Sequence, residues 1–70
     1  IMNFTSQEIG IVAGRIWNYL NEKNNFVELL RLKFDLKLDN TILYLALGWL
    51  AREDKIEFLV LDEIVKVKLK

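Results

Sequence analysis

The chain contains no cysteine and no histidine. Without cysteine there is neither a disulfide to staple a small fold nor a thiolate to hold a metal. Without histidine the usual zinc ligand and the commonest general base are both missing. Proline is absent too, and no low-complexity tract or internal repeat interrupts the 70 residues. The lack of a linker points to one domain over residues 1–70. Neither sign of charge dominates: 10 Lys and Arg offset 10 Asp and Glu, for a net charge of zero. Dedicated nucleic-acid binders draw affinity from phosphate neutralisation and ordinarily carry a basic surplus. No apolar run approaches the ~18 residues of a membrane span. The N-terminus lacks the order of a signal peptide, so a cytoplasmic location and no membrane partner are the default expectations. Ile1 precedes Met2, which leaves open whether Ile1 is native.

What the chain does have is apolar side chains, 53% of its residues. That exceeds the roughly 45–50% usual for soluble domains. A small domain has too much surface for its volume to hide such an excess. Part of it is expected to face a partner, and stability is expected to rest on apolar burial helped by self-association.

The first helix is expected over about residues 5–22. Thr5 and Glu8 have capping-box spacing, and Phe4 and Ile9 sit where a hydrophobic staple would close the entry. Ile9, Val12, Ala13, Ile16, Trp17 and Leu20 follow at helical spacing. Gly10 and Gly14 lie one turn apart, each lowering helix propensity by roughly 1 kcal/mol relative to Ala. Close approach of another helix explains them best; a ligand-contacting surface is the alternative.

A second helix is expected over about residues 26–36, capped by Asn25 with Glu28. Leu29, Leu32 and Leu36 make a core stripe. Phe26, Leu30 and Phe34 repeat at i, i+4 and i+8 on another face. Either the monomer buries both stripes, or the second is a dimer interface. The second choice is preferred because so small a domain has few neighbours to cover both. Leu45 and Trp49 are expected near that interface.

Asp39 is a good N-cap for a third helix over about residues 39–53, with Leu38 and Leu43 as a staple pair. Leu43, Ala46, Leu47 and Leu50 form one apolar face. Ile42, Leu45 and Trp49 widen it to roughly 200°, past the ~100° of an ordinary surface helix. The period then changes. Ile56, Phe58 and Val60 alternate with Glu57, Leu59 and Leu61, and Val65, Val67 and Leu69 alternate with Lys66, Lys68 and Lys70. Strands are expected over about residues 55–61 and 64–69. Asp62-Glu63 is the turn between them, although it lacks the glycine or asparagine of a tight hairpin.

This order defines an α+β fold of the winged helix-turn-helix class, three helices followed by a two-stranded antiparallel wing. Leu32-Lys33-Phe34-Asp35-Leu36-Lys37-Leu38-Asp39 looks like the helix-turn-helix frame, with Lys37 where many such turns have glycine. The run from Ala46 to Ile56, with Ala13-Gly14-Arg15-Ile16-Trp17 upstream, resembles a family of small stand-alone winged helix-turn-helix proteins of bacteria and archaea, uncharacterised in function. The resemblance covers most of residues 8–69 and implies the fold. It brings no catalytic residues.

Two functions remain in view. In the first, a homodimer binds double-stranded DNA with weak specificity. Asn40, Thr41, Tyr44 and Arg52 on the third helix would face the major groove, and Lys66 and Lys68 on the wing would grip phosphate. In the second, the chain is a protein-interaction and dimerisation module that does not bind DNA, and its alternating lysines are a solvated strand edge. Phe26, Leu30, Phe34, Leu45 and Trp49 are the candidate dimer contacts. No nucleophile–base pair, phosphate loop or metal cluster stands out, so neither an enzyme nor a cofactor, metal or small-molecule ligand is expected.

Overall fold

Thr5 opens the first helix as the sequence suggests. Its hydroxyl accepts the Glu8 amide at 3.1 Å and so satisfies one of the free donors at the start of α1 (Ser6–Lys23). The Glu8 carboxylate returns to the Thr5 hydroxyl, not to its amide, so the capping box is incomplete. Phe4 and Ile9 both pack against the core. The structure is a computed structural model that describes residues 3–70; the question of Ile1 lies outside the described residues. After α1 come β1 (Val27–Glu28), α2 (Leu29–Leu36), α3 (Asn40–Arg52), β2 (Ile56–Leu61) and β3 (Ile64–Leu69).

The second helix starts three residues later than its apolar spacing predicts. Phe26 is not helical. Val27 and Glu28 are extended and pair antiparallel with β3, Val27 opposite Val67 and Glu28 opposite Lys66. A β-branched residue beside an unpaired strand edge gains ladder hydrogen bonds that outweigh local helical spacing. Asn25 does not cap α2 either: its side chain accepts from the next amide, Phe26, at 2.7 Å. Glu28 occupies the N-cap position without a side-chain bond to the helix. The sheet is therefore three-stranded, in the order β1-β3-β2, rather than a free hairpin. β2 and β3 pair in register from Ile56 opposite Leu69 to Leu61 opposite Ile64.

Two helix ends share one device. Lys37 closes α2 in a left-handed conformation, φ 55°, and the Leu38 amide donates back to the Lys33 carbonyl at 3.1 Å. Asp54 follows α3 with φ 59°, and the Lys55 amide donates to the Leu50 carbonyl at 3.0 Å. Both are Schellman-type endings, which usually take glycine at the left-handed position. Lys37 carries a β-carbon where glycine is ordinary, yet it turns the chain tightly enough for Asp39 to cap α3 through the Ile42 amide at 3.3 Å.

The core lies where the three helices meet the inner face of the sheet. Ala13, Ile16 and Leu20 of α1, Leu32 of α2, five residues of α3 from Ile42 to Leu50, and Ile56 and Val67 of the sheet form one buried cluster with Leu38. The glycines of α1 behave differently from one another. A β-carbon at Gly10 would lie 3.5 Å from Cζ2 of Trp49, so α3 does approach there, through one indole ring. Gly14 faces open space, and close helix approach does not account for it.

Candidate interaction surfaces

Alternation along β3 sends Val67 into the core and Lys66 and Lys68 to the opposite face of the sheet. Carboxylates meet them there. Lys66 sits opposite Glu28 of β1 in the register, with no ion pair between them among the described residues. Lys68 sits opposite Glu57 of β2, with its ammonium 3.6 Å from the carboxylate. Opposite charges directly across a ladder stabilise the sheet by a few tenths of a kcal/mol and cancel each other's far field. The Lys68 ammonium also lies 5.3 Å from the centre of the Phe26 ring. Phe26 is thereby placed over the sheet, away from the Leu30–Phe34 stripe with which its spacing had grouped it.

Four of the other cations are engaged, whereas Lys33, Lys37 and Arg52 form no ion pair among the described residues. Lys70 bonds the Asp54 carboxylate at 2.6 Å, which raises the Lys70 pKa, and Lys55 pairs with Glu53 at 3.4 Å. Arg15 donates to the Leu36 carbonyl at 3.0 Å, tying α1 to the last turn of α2. Arg31 and Tyr19 share one oxygen of Asp35, at 3.1 and 2.6 Å. The Tyr19 bond holds the Asp35 carboxyl below its ordinary range, with Arg31 adding to the effect.

Tyr19 shows the converse. Burial first, then its bond to the Asp35 carboxylate, pushes the phenol from 10.0 up to about 12. A pKa raised on folding contributes stability that is whole below the ordinary value near 10 and is lost as pH climbs through 12. An absorbance titration of tyrosinate is expected to show a late step near pH 12 that disappears in Tyr19→Phe. A wild-type titration complete by about pH 11 would overturn the assignment.

The sequence-predicted residues divide into separate places. Asn40, Thr41, Tyr44 and Arg52 all stand on the exposed side of α3, whereas Lys66 and Lys68 lie on the outer face of the sheet. Leu30 and Phe34 do come together, 67% and 81% exposed. They line a shallow groove of about 500 Å3 with Leu38, flanked by Lys33 and Lys37. Leu45 and Trp49 are partly exposed on α3. Trp49 lines a different groove, of about 390 Å3, against α1 with Trp17 and Gly14, and that groove shares no residue with the Leu30–Phe34 groove.

Sequence reasoning passed over the wing as an apolar surface. Phe58, Leu59, Val60, Leu61 and Ile64 are all exposed. The signal was present in the run Phe58-Leu59-Val60-Leu61, four apolar residues in a strand that alternation alone would half-bury. Consecutive residues from Phe58 to Ile64 are exposed, so both faces of the hairpin near its tip are open to solvent. Asp62 and Glu63 turn it, both left-handed at φ 51° and 67°. A wing with apolar sides and an acidic tip is poorly matched to phosphate.

Among the described residues no group of three or more Asp and Glu side chains is arranged to hold a metal ion, and no helix is long and apolar enough to cross a membrane.

Three helices followed by an antiparallel hairpin, with α2 and α3 joined by a tight left-handed turn, define a winged helix-turn-helix protein. The chain belongs to the family described as winged helix-turn-helix domain (DUF2582), which matches residues 3–69. No curated protein matches it.

Proposed function

We propose that this winged helix is a self-associating protein-interaction module rather than a DNA reader. One observation carries the reading: the wing lysines stand opposite carboxylates, Lys66 by Glu28 and Lys68 by Glu57, while large apolar side chains such as Phe34, Leu30, Val60 and Leu61 stand exposed. Affinity for DNA comes chiefly from cations free to replace counterions on phosphate. Cations already matched across a ladder contribute little of that, and the acidic wing tip opposes it. Exposed apolar patches rimmed by polar groups mark protein contacts.

The competing reading, weak binding of duplex DNA, is favoured by the exposure of Asn40, Thr41 and Tyr44 in the first half of α3, the half from which recognition helices reach base edges. Two measurements separate the two. Sedimentation equilibrium at ~100 μM chain is expected to show a dimer, because functional pairs ordinarily associate more tightly than that. Phe34→Glu is expected to be monomeric with an unchanged helical signal. A duplex DNA titration at ~50 mM salt, where phosphate contacts are strongest, is expected to show no binding. A monomer that binds DNA under those conditions defeats the proposal.

A further inference from the structure

The Leu30–Phe34 groove does not end at α2. A second groove, of about 270 Å3, runs between α2, α3 and the hairpin, lined by Leu30, Tyr44, Ile64 and Glu63 among others. Leu30 lines both grooves, which joins them into one strip that is apolar along its middle except for Glu28, which stands opposite Lys66 of β3. Its two ends differ in charge. Lys33 and Lys37 flank the α2 end, and the Asp62-Glu63 turn closes the wing end. None of these four side chains forms an ion pair among the described residues.

We propose that the strip is the contact surface for a second copy of this chain, docked about a two-fold axis that passes near Leu30. The inference rests on the self-association reading and specifies its geometry. A two-fold axis brings the same surface of both copies together, turned end for end. Lys33 and Lys37 of each copy then meet Asp62 and Glu63 of the other, and Leu30 meets its own counterpart at the centre. A pairing centred on Phe34 would set lysines against lysines, and like charges across an interface are costly. With two lysines at one end and two carboxylates at the other, the strip is its own complement when turned end for end.

Phe34, Leu30, Tyr44 and Ile64 are 81%, 67%, 57% and 44% exposed. They form the apolar centre of a contact that takes roughly 800 Å2 per partner in a stable pair, with the charged side chains at its two ends as the polar rim. Phe34 and Tyr44 supply aromatic anchors of the kind that dominate such contacts.

Charge exchange tests the arrangement. One variant carries Lys33→Glu and Lys37→Glu; the other carries Asp62→Lys and Glu63→Lys. In sedimentation equilibrium each alone is expected to dimerise at least ten-fold more weakly than the wild type. An equimolar mixture is expected to recover a dimer, because both junctions are then complementary. Recovery in the mixture also shows that each variant is folded. If the wild type dimerises but the variants associate as it does, or their mixture stays monomeric, this geometry is wrong while self-association stands. A wild type that is monomeric at ~100 μM removes both.

Discussion

Leu32→Ala is expected to destabilise the chain by about 3 kcal/mol, whereas Leu30→Ala should change it by less than about 1 kcal/mol. The two leucines are two positions apart in the same short helix, yet Leu32 is 0% exposed and Leu30 is 67% exposed. Leu32 is the buried side chain through which α2 joins the core. Its truncation removes several methylene groups from contact with the core and leaves a cavity that the surrounding side chains fill only in part. A 70-residue chain has on the order of 4–10 kcal/mol of stability in total, so the loss is a large fraction of it. At about 4–8 °C per kcal/mol for a domain of this size, the midpoint of thermal unfolding should fall by roughly 12–24 °C. Calorimetry of the two variants side by side checks the assignment. Equal shifts would mean that α2 does not present Leu32 inward.

The same contrast shows what could be read from the sequence. Leu29, Leu32 and Leu36 fall at helical spacing, and they do face the core. Thr5 and Asp39 announced the starts of α1 and α3 because an N-cap is a local device, complete within three residues. The period change after Arg52 located β2 for the same reason. Local signals failed at Phe26, Val27 and Glu28. The strand pairing of Val27 and Glu28 depends on an edge of β3 far along the chain, and no local window contains both. Phe26, Leu30 and Phe34 kept helical spacing all the same, so periodicity assigned to one stripe a ring that packs beside Lys68 on the sheet.

The candidate surfaces divided along the same line. Exposure of Leu30 and Phe34 followed from having too many apolar faces on one short helix. The pairing of Glu28 with Lys66 and of Glu57 with Lys68 could not be seen, because register is set by tertiary pairing. That pairing changes the meaning of the wing. Alternating lysines read either as a phosphate grip or as a solvated strand edge; Glu28 and Glu57 on the neighbouring strands give the face of Lys66 and Lys68 both signs of charge, and Lys70 is bonded to Asp54 in the turn after α3. Gly14 remains without a packing explanation, since nothing occupies the space its β-carbon would fill.

Replacing the wing turn by an Asn-Gly pair, through Asp62→Asn and Glu63→Gly, is expected to raise stability by about 1 kcal/mol and the unfolding midpoint by about 4–8 °C. Leu61 pairs with Ile64, so the turn has two residues, and both have positive φ. That is the signature of a type I′ turn, for which Asn-Gly is the preferred pair. A residue with a β-carbon is strained in the left-handed region by roughly 1–2 kcal/mol, less for Asp, whose side chain bonds locally. Glu63 has no such relief, and glycine removes its strain. The same double substitution deletes both carboxylates from the wing end of the strip. Dimerisation should therefore weaken while the fold strengthens, with the two read by sedimentation and calorimetry on one sample. Opposite movement of the two quantities is what a strained turn kept for contact produces. A higher midpoint with undiminished association would confine the acidic tip to turn formation alone. A midpoint that does not rise would show that Asp62 and Glu63 hold the hairpin without strain.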